Sequence, residues 1–175
     1  MPNVQCSIRQ AQPSDATLVE ALLVEASRWV DAMGEVMWET GELAPELIAA
    51  DVAAGQFYIA MADGEPAGVI RFQLEDTLFW PDLPSDHTSA FVHRLAVGQR
   101  HRGQGISTAL LQWAVDHARA LGRSDLRLDC DKSRPKLMAL YEGFGFQFHS
   151  FRRVGPYYVA RYEYPIESAS CHDAN

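Results

Sequence analysis

Apolar positions along this chain change their period several times, and each change marks a predicted element. Val4 to Arg9 alternates weakly and reads as a first strand. After Pro13, Ser14 and Asp15 stand where a helix start is capped. Leu18, Leu22, Leu23, Ala26, Trp29 and Val30 then recur at helical spacing. Pro45 opens a second, short helix. Phe57 to Met61 predicts a strand, Asp63-Gly64 a hairpin turn, and Ala67 to Leu74 the return strand. Trp80-Pro81, Pro84 and Asp86 make residues 75–88 a loop, and Ala90 to Val97 follows as a strand.

The clearest helical period runs from Gln104 to Leu121, with Ile106, Ala109, Leu110, Trp113, Ala114, His117 and Leu121 on one face and Gly122 to end it. Leu126 to Cys130 predicts a strand. Pro135 opens a short helix carrying Leu137, Leu140, Tyr141 and Phe144. Phe146–Phe151 and Tyr157–Tyr164 close the chain as an antiparallel pair turned at Gly155-Pro156. Helices alternate with strands, and hairpins sit at both ends. This order predicts an α/β (α+β) fold: a mixed, mostly antiparallel central sheet of about six or seven strands with helices on both faces.

A chain of 175 residues predicts one domain, here residues 1–166, followed by a polar, frayed tail over 167–175. No run of about 18 apolar residues offers a membrane span, and Met1 to Gln10 does not read as a secretion leader. Cys6, Cys130 and Cys171 are widely spaced and form no CxxC, which argues against a disulfide framework or a zinc site and makes a reducing cytoplasm the default. The net charge of −8 argues against nucleic acid as a partner. Its distribution says more. Residues 1–93 carry three basic and fifteen acidic side chains, whereas residues 94–136 carry nine basic and four acidic. An acidic half beside a basic strip suits an anionic cofactor and a cationic partner; solvated charges clustered by chance would look the same.

The basic strip contains Leu95-Ala-Val-Gly-Gln-Arg-His-Arg-Gly-Gln-Gly-Ile-Ser107, a strand running through a glycine turn into the long amphipathic helix. Free N–H groups at a helix start and the positive end of its dipole form an anion site. Gly103 and Gly105 let a phosphate approach the backbone, and Arg100 and Arg102 add charge. This is not a P-loop, because no lysine follows the glycines. Nor is it the dinucleotide fingerprint, because Thr108 stands where the third glycine belongs.

Arg100-His101-Arg102-Gly103-Gln104-Gly105 instead resembles the [Gln/Arg]-x-x-Gly-x-[Gly/Ala] pyrophosphate signature of the GNAT family of N-acetyltransferases. The stretch from Leu126 to Phe146 resembles that family's second cofactor segment, a strand followed by Asn-x-x-Ala-x-x-Leu-Tyr-Glu-x-x-Gly-Phe. Leu140, Tyr141, Glu142, Gly145 and Phe146 match in register. Three positions depart from the pattern. Arg134 replaces the asparagine, Leu137 the alanine, and Ser107 a frequent glycine. Pro135 disfavours a helical Arg134 and so puts it at the helix cap, where its guanidinium either reaches a cofactor phosphate or faces solvent.

The resemblance implies the acyl-CoA N-acyltransferase fold and direct transfer from acetyl-coenzyme A, as co-substrate, to a small-molecule amine, with no metal. Cofactor contacts fall on Leu95, Ala96, Val97, Arg100, Arg102, Gly103, Gln104, Gly105, Ile106, Ser107, Arg134 and Tyr141, and backbone N–H groups at Leu95–Val97 hold the oxyanion. Tyr141 becomes the acid for the departing thiolate, although helical spacing with Leu137 and Phe144 also suits a core aromatic. For the base, Glu75 stands ahead of Asp76, His93 and Asp129. Strand alternation puts Phe91, His93, Leu95 and Val97 on one face. Trp29, Trp38 and Trp80, with Glu35, Glu39, Glu75, Asp76, Asp82 and Asp86, lie in the part that in this family builds the acceptor site, which suits a cationic amine, although each tryptophan taken singly reads more readily as a core or loop anchor. A non-catalytic acyl-coenzyme A sensor of the same fold and a longer acyl donor both stay open. So does a homodimer fed by Phe148, Phe151, Tyr157 and Tyr158.

Overall fold

The computed structural model describes residues 5–39, 41–84 and 86–168. Among these residues seven strands form one sheet: β1 (Cys6–Gln10), β2 (Phe57–Ala62), β3 (Glu65–Gln73), β4 (Ser89–Val97), β5 (Asp125–Asp131), β6 (Gln147–Val154) and β7 (Tyr157–Pro165). Four α-helices accompany it: α1 (Ala16–Ala32), α2 (Pro45–Ala53), α3 (Ile106–Ala120) and α4 (Pro135–Phe144). The hydrogen-bonded order is β1-β2-β3-β4-β5-β7-β6. β1/β2, β2/β3, β5/β7 and β6/β7 are antiparallel, and β4/β5 is parallel. The mixed, mostly antiparallel sheet expected from the order of elements is the one that forms. Val4 and the tail from Ala169 lie outside the described residues, and no described helix is long and apolar enough to cross a membrane.

The chain divides into two compact units, residues 1–73 with 92–113 and residues 74–91 with 114–175, so β4 and α3 each contribute to both. In the first unit α1 and α2 place Val19, Leu22, Leu23, Ala26, Ile48 and Val52 in one cluster with Phe57, Ile59, Val69 and Ala96. This cluster accounts for the apolar stripe read from the sequence. Gly68 of β3 is a close approach: a Cβ there would stand 2.8 Å from the Ala96 carbonyl oxygen and 3.0 Å from Ile106 Cγ2. Asp15 does not cap α1 with its side chain. Its carboxylate accepts instead from the Gln12 N–H at 2.8 Å and from Arg9 at 2.7 Å, which turns it away from the helix start.

Strand alternation fails inside β4. Arg94 takes φ 54, a left-handed value, and breaks the pleat between His93 and Leu95. The shared face of Phe91, His93, Leu95 and Val97 therefore does not run through the strand. Arg94 turns to Glu42, donating from Nη2 to its carbonyl at 3.3 Å, and lies over the Trp38 ring at 5.1 Å.

In the second unit the loop after β3 is fastened by Trp80, which is only 2% exposed. Arg127 of β5 and Arg161 of β7 both stack on its ring, at 4.8 Å and 4.5 Å. Arg161, 4% exposed, donates to the Asp82 carboxylate at 2.6 Å and 3.1 Å, to the Phe79 carbonyl at 3.2 Å and to the Ser150 hydroxyl at 2.9 Å. Arg152 approaches Asp82 at 3.5 Å. The hydrogen bonds from Arg161 hold the Asp82 carboxyl down to about 2. On β6, an edge strand, Phe148 and Phe151 are half exposed, their rings 4.9 Å apart.

A carboxyl depressed on folding stabilises the folded state above its unfolded value of about 3.9, and that contribution is lost as pH falls through the folded value. Asp82→Asn leaves Arg161 buried without its counter-charge, so it destabilises the protein near neutrality. We expect the stability gap between wild type and Asp82→Asn, measured by urea denaturation, to be full at pH 5 and to close as pH falls from about 4 towards 2. A gap independent of pH refutes the ion-pair account.

Candidate active site

The first unit carries the anion turn. β4 ends at Val97, and the Gly98 N–H donates to the Ala67 carbonyl of β3 at 2.8 Å. A 3-10 turn over Gln99–His101 follows. Gly103 and Gly105 then adopt φ 73 and φ 79, and a Cβ on either would meet no atom within 4 Å. The left-handed backbone needs glycine, and the open space is what an approaching phosphate needs. α3 starts at Ile106, two residues later than the sequence predicts, because Gly103–Gly105 is consumed by the turn. The N–H groups of its first turn have no intrahelical acceptor.

The predicted cofactor residues of this unit fall on that turn. Leu95, Val97 and Ser107 are partly buried, Ala96 and Ile106 are buried, and Arg100, Arg102, Gly103, Gln104 and Gly105 are exposed. Gln104 braces the loop: its Nε2 donates to the Arg100 carbonyl at 3.2 Å, and its Oε1 lies 3.3 Å from His101 Nδ1. The backbone of this loop also meets α1, where the Glu25 carboxylate accepts the Gln99 N–H at 3.3 Å.

The second unit carries Tyr141. It sits on α4, 6% exposed, with its ring 6.0 Å from Phe146 and 6.2 Å from Tyr162. Burial pushes its phenol up, with the neighbouring Cys130 and Asp129 adding to the effect and Arg134 opposing it. The phenol is therefore protonated throughout the neutral range. Burial also drives the Cys130 thiol up to about 12, which rules it out as a nucleophile near neutrality. The next residue on α4, Glu142, accepts from the fully buried Tyr162 hydroxyl at 2.7 Å and so pins the helix to β7. Arg134 occupies the cap of α4, with φ −111 and no side-chain capping bond, as Pro135 requires.

The base candidates differ in exposure and in their hydrogen-bond partners. Glu75 is exposed and faces His87 Nδ1 at 3.6 Å. Asp76 accepts from the N–H groups of Leu78 and Phe79 at 3.1 Å and 2.9 Å, which ties it to the fold of the loop. His93 and Asp129 are partly buried in β4 and β5. The three tryptophans expected beside the acceptor are each stacked by an arginine of the chain itself: Trp29 by Arg102 at 3.3 Å, Trp38 by Arg94, and Trp80 by Arg127 and Arg161. Trp80 is thus a buried loop anchor, and Asp82 is neutralised by Arg161. Asp86 accepts from the Thr88 hydroxyl at 2.9 Å. Sequence reading missed the four arginines as tryptophan partners, because no local signal links residues so distant along the chain.

The first unit thus carries a strand, a left-handed glycine turn and an amphipathic helix, and the second a buried tyrosine on a short helix. The sequence profile of the Acetyltransferase (GNAT) family matches residues 19–146, and the chain belongs to that family. It is 28% identical over 140 residues to the uncharacterised N-acetyltransferase YesJ of Bacillus subtilis, covering 77% of each chain. It is 32% identical over 108 residues to N-acetyltransferase family 8 member 2 of Rattus norvegicus, covering 62% of this chain but only 43% of that protein. Among solved structures, the aminoglycoside acetyltransferase AAC(6')-Ib in complex with coenzyme A and kanamycin superposes with a TM-score of 0.73 at 18% identity, covering 92% of this chain and 95% of that one.

A valine at Gly103 or Gly105 cannot hold the left-handed backbone and fills the open space in front of it. Gly103→Val and Gly105→Val should each abolish coenzyme A binding in a protein that still folds, as read by calorimetry and circular dichroism. Native affinity in either folded variant removes this turn from the cofactor site.

Proposed function

We infer that this protein transfers an acetyl group from acetyl-coenzyme A to the primary amine of a small, cationic acceptor, by direct attack in a ternary complex. The observation that carries the catalytic part is Tyr141: a phenol buried on α4, held protonated, on a helix pinned through Glu142 to the buried Tyr162. The pyrophosphate of coenzyme A lies on the Gly103–Gly105 turn, with Arg100 and Arg102 beside it and Arg134 as a further phosphate contact. The amine attacks the thioester carbonyl, and N–H groups at Leu95–Val97 receive the developing oxyanion; the left-handed Arg94 just before them turns the backbone out of regular pleat. Glu75, exposed to solvent, accepts the amine's proton through water. As the C–S bond breaks, Tyr141 donates to the leaving thiolate and regains its proton from solvent. The whole runs on a single domain over residues 1–166.

The cationic acceptor is supported by the acidic first half of the chain and by Glu35, Glu39 and Glu75, which stand exposed. Asp82, held by Arg161, does not add to that field, and the tryptophans already serve the protein's own arginines. Acceptor preference therefore rests on carboxylate charge rather than on an aromatic cage.

Tyr141→Phe should lower kcat by about 10²–10⁴-fold where chemistry limits the rate. A cysteine-type thiol has a pKa of about 8.5, so at pH values well above that the thiolate needs no proton to leave and the defect should shrink. Near-native turnover at pH 7 makes Tyr141 a packing residue and leaves acetyl transfer without this acid.

A screen of amines with acetyl-coenzyme A, followed by thiol release, should find cationic acceptors best, with kcat/KM falling as ionic strength rises. Neutral or acidic acceptors turning over best, with little salt dependence, overturn the electrostatic argument while leaving acetyl transfer intact.

A further inference from the structure

One stripe of α1 touches the anion turn three times. Leu22, Glu25 and Trp29 follow each other at helical spacings of three and four and so share a face. Leu22 Cδ2 lies 3.3 Å from where a Cβ of Gly98 would stand. Glu25 accepts the Gln99 N–H at 3.3 Å, and the Trp29 ring lies 3.3 Å from Arg102 Cζ. These contacts climb the loop in order, 98, 99 and 102, and the last lands on the residue before the left-handed Gly103.

The Trp29–Arg102 contact differs from the chain's other arginine–tryptophan stacks. At 3.3 Å the guanidinium carbon is in van der Waals contact with the ring face, against 4.5–5.1 Å for the others. Arg127 and Arg161 also bond carboxylates, and Arg94 bonds Glu42. Arg102 is exposed, and among the described residues its charge meets no carboxylate. A stack uses the face of a guanidinium and leaves its N–H donors, which lie in the plane, available for an anion. An exposed arginine otherwise samples many rotamers, and ordering it on binding weakens the complex.

We propose that Trp29 is a positioning residue of the anion turn, whose ring holds the Arg102 guanidinium beside Gly103 so that its N–H edge meets a phosphate of coenzyme A. The proposal rests on the reading of this turn as the coenzyme A site. It moves Trp29 from the acceptor side, where the sequence alone put it, to the cofactor side.

The test is calorimetry of the full chain with coenzyme A. Trp29→Leu should weaken binding by roughly 3- to 30-fold, the span that corresponds to a cation–π contact, and Trp29→Phe by less. Arg102→Lys, which keeps the charge but not the flat stack, should lose nearly as much as Trp29→Leu and serves if the leucine variant does not fold. In an Arg102→Met background Trp29→Leu should cost nothing further. In turnover assays Trp29→Leu should raise KM for acetyl-coenzyme A more than it lowers kcat. The proposal is overturned if Trp29→Leu leaves affinity unchanged, or if its cost persists in full with Arg102→Met, the sign of a general packing role. Should Gly103→Val and Arg102→Met both bind coenzyme A like wild type, it is the cofactor site itself that has been misplaced, a result separable from the Trp29 cycle.

Discussion

The passage from β4 into α3 depends on a backbone that only glycine adopts without strain. Gly103 and Gly105 at φ 73 and 79 let the chain leave a strand, close a short turn and enter a helix whose first N–H groups have no intrahelical acceptor. Much else follows from that geometry. Gly98 must bond back to β3, Gly68 must be bare so that Ala96 and Ile106 can come close, and Gln104 folds its amide onto the turn it belongs to. The site is a property of main chain first, and its arginines add charge to a cradle already formed.

Arginine stacked on tryptophan is the second recurring device. It appears at Trp29, Trp38 and Trp80, and each time it joins segments far apart in the chain. At Trp80 two guanidinium groups and the Asp82 carboxylate fasten the loop after β3 to β5 and β7. The same pairing changes the electrostatics. Asp82 is answered by Arg161, Glu42 by Arg94 and Asp51 by Arg71, and formal charge counted along the sequence overstates what a ligand would feel. Tyr141 is set by burial in a comparable way. The apolar surroundings that make it look like a core aromatic also keep its proton on, so packing and acid chemistry are not competing descriptions of that residue.

The order and type of the elements were legible in the sequence because hydrophobic period is a local quantity, decided by neighbours two to four positions away. The strand–glycine turn–helix at 95–107 and the Leu140-Tyr141-Glu142 helix were legible for the same reason, each being one contiguous motif. Boundaries moved by one to three residues, as at the end of β6 and at the start of α3, where glycines counted as helix were needed as turn. What local pattern could not reveal was decided by tertiary contact. Strict alternation along β4 fails at Arg94, whose left-handed φ accompanies contacts with Glu42 and Trp38 on a distant segment. Asp15 abandons the cap of α1 for Arg9 and Gln12. The tryptophans that composition assigned to an incoming cation were claimed by the chain's own arginines. By itself, the sequence determined the family, the elements and the glycine turn. Which charge meets which ring depended on side chains that become neighbours only when the sheet assembles, and so on the folded structure alone.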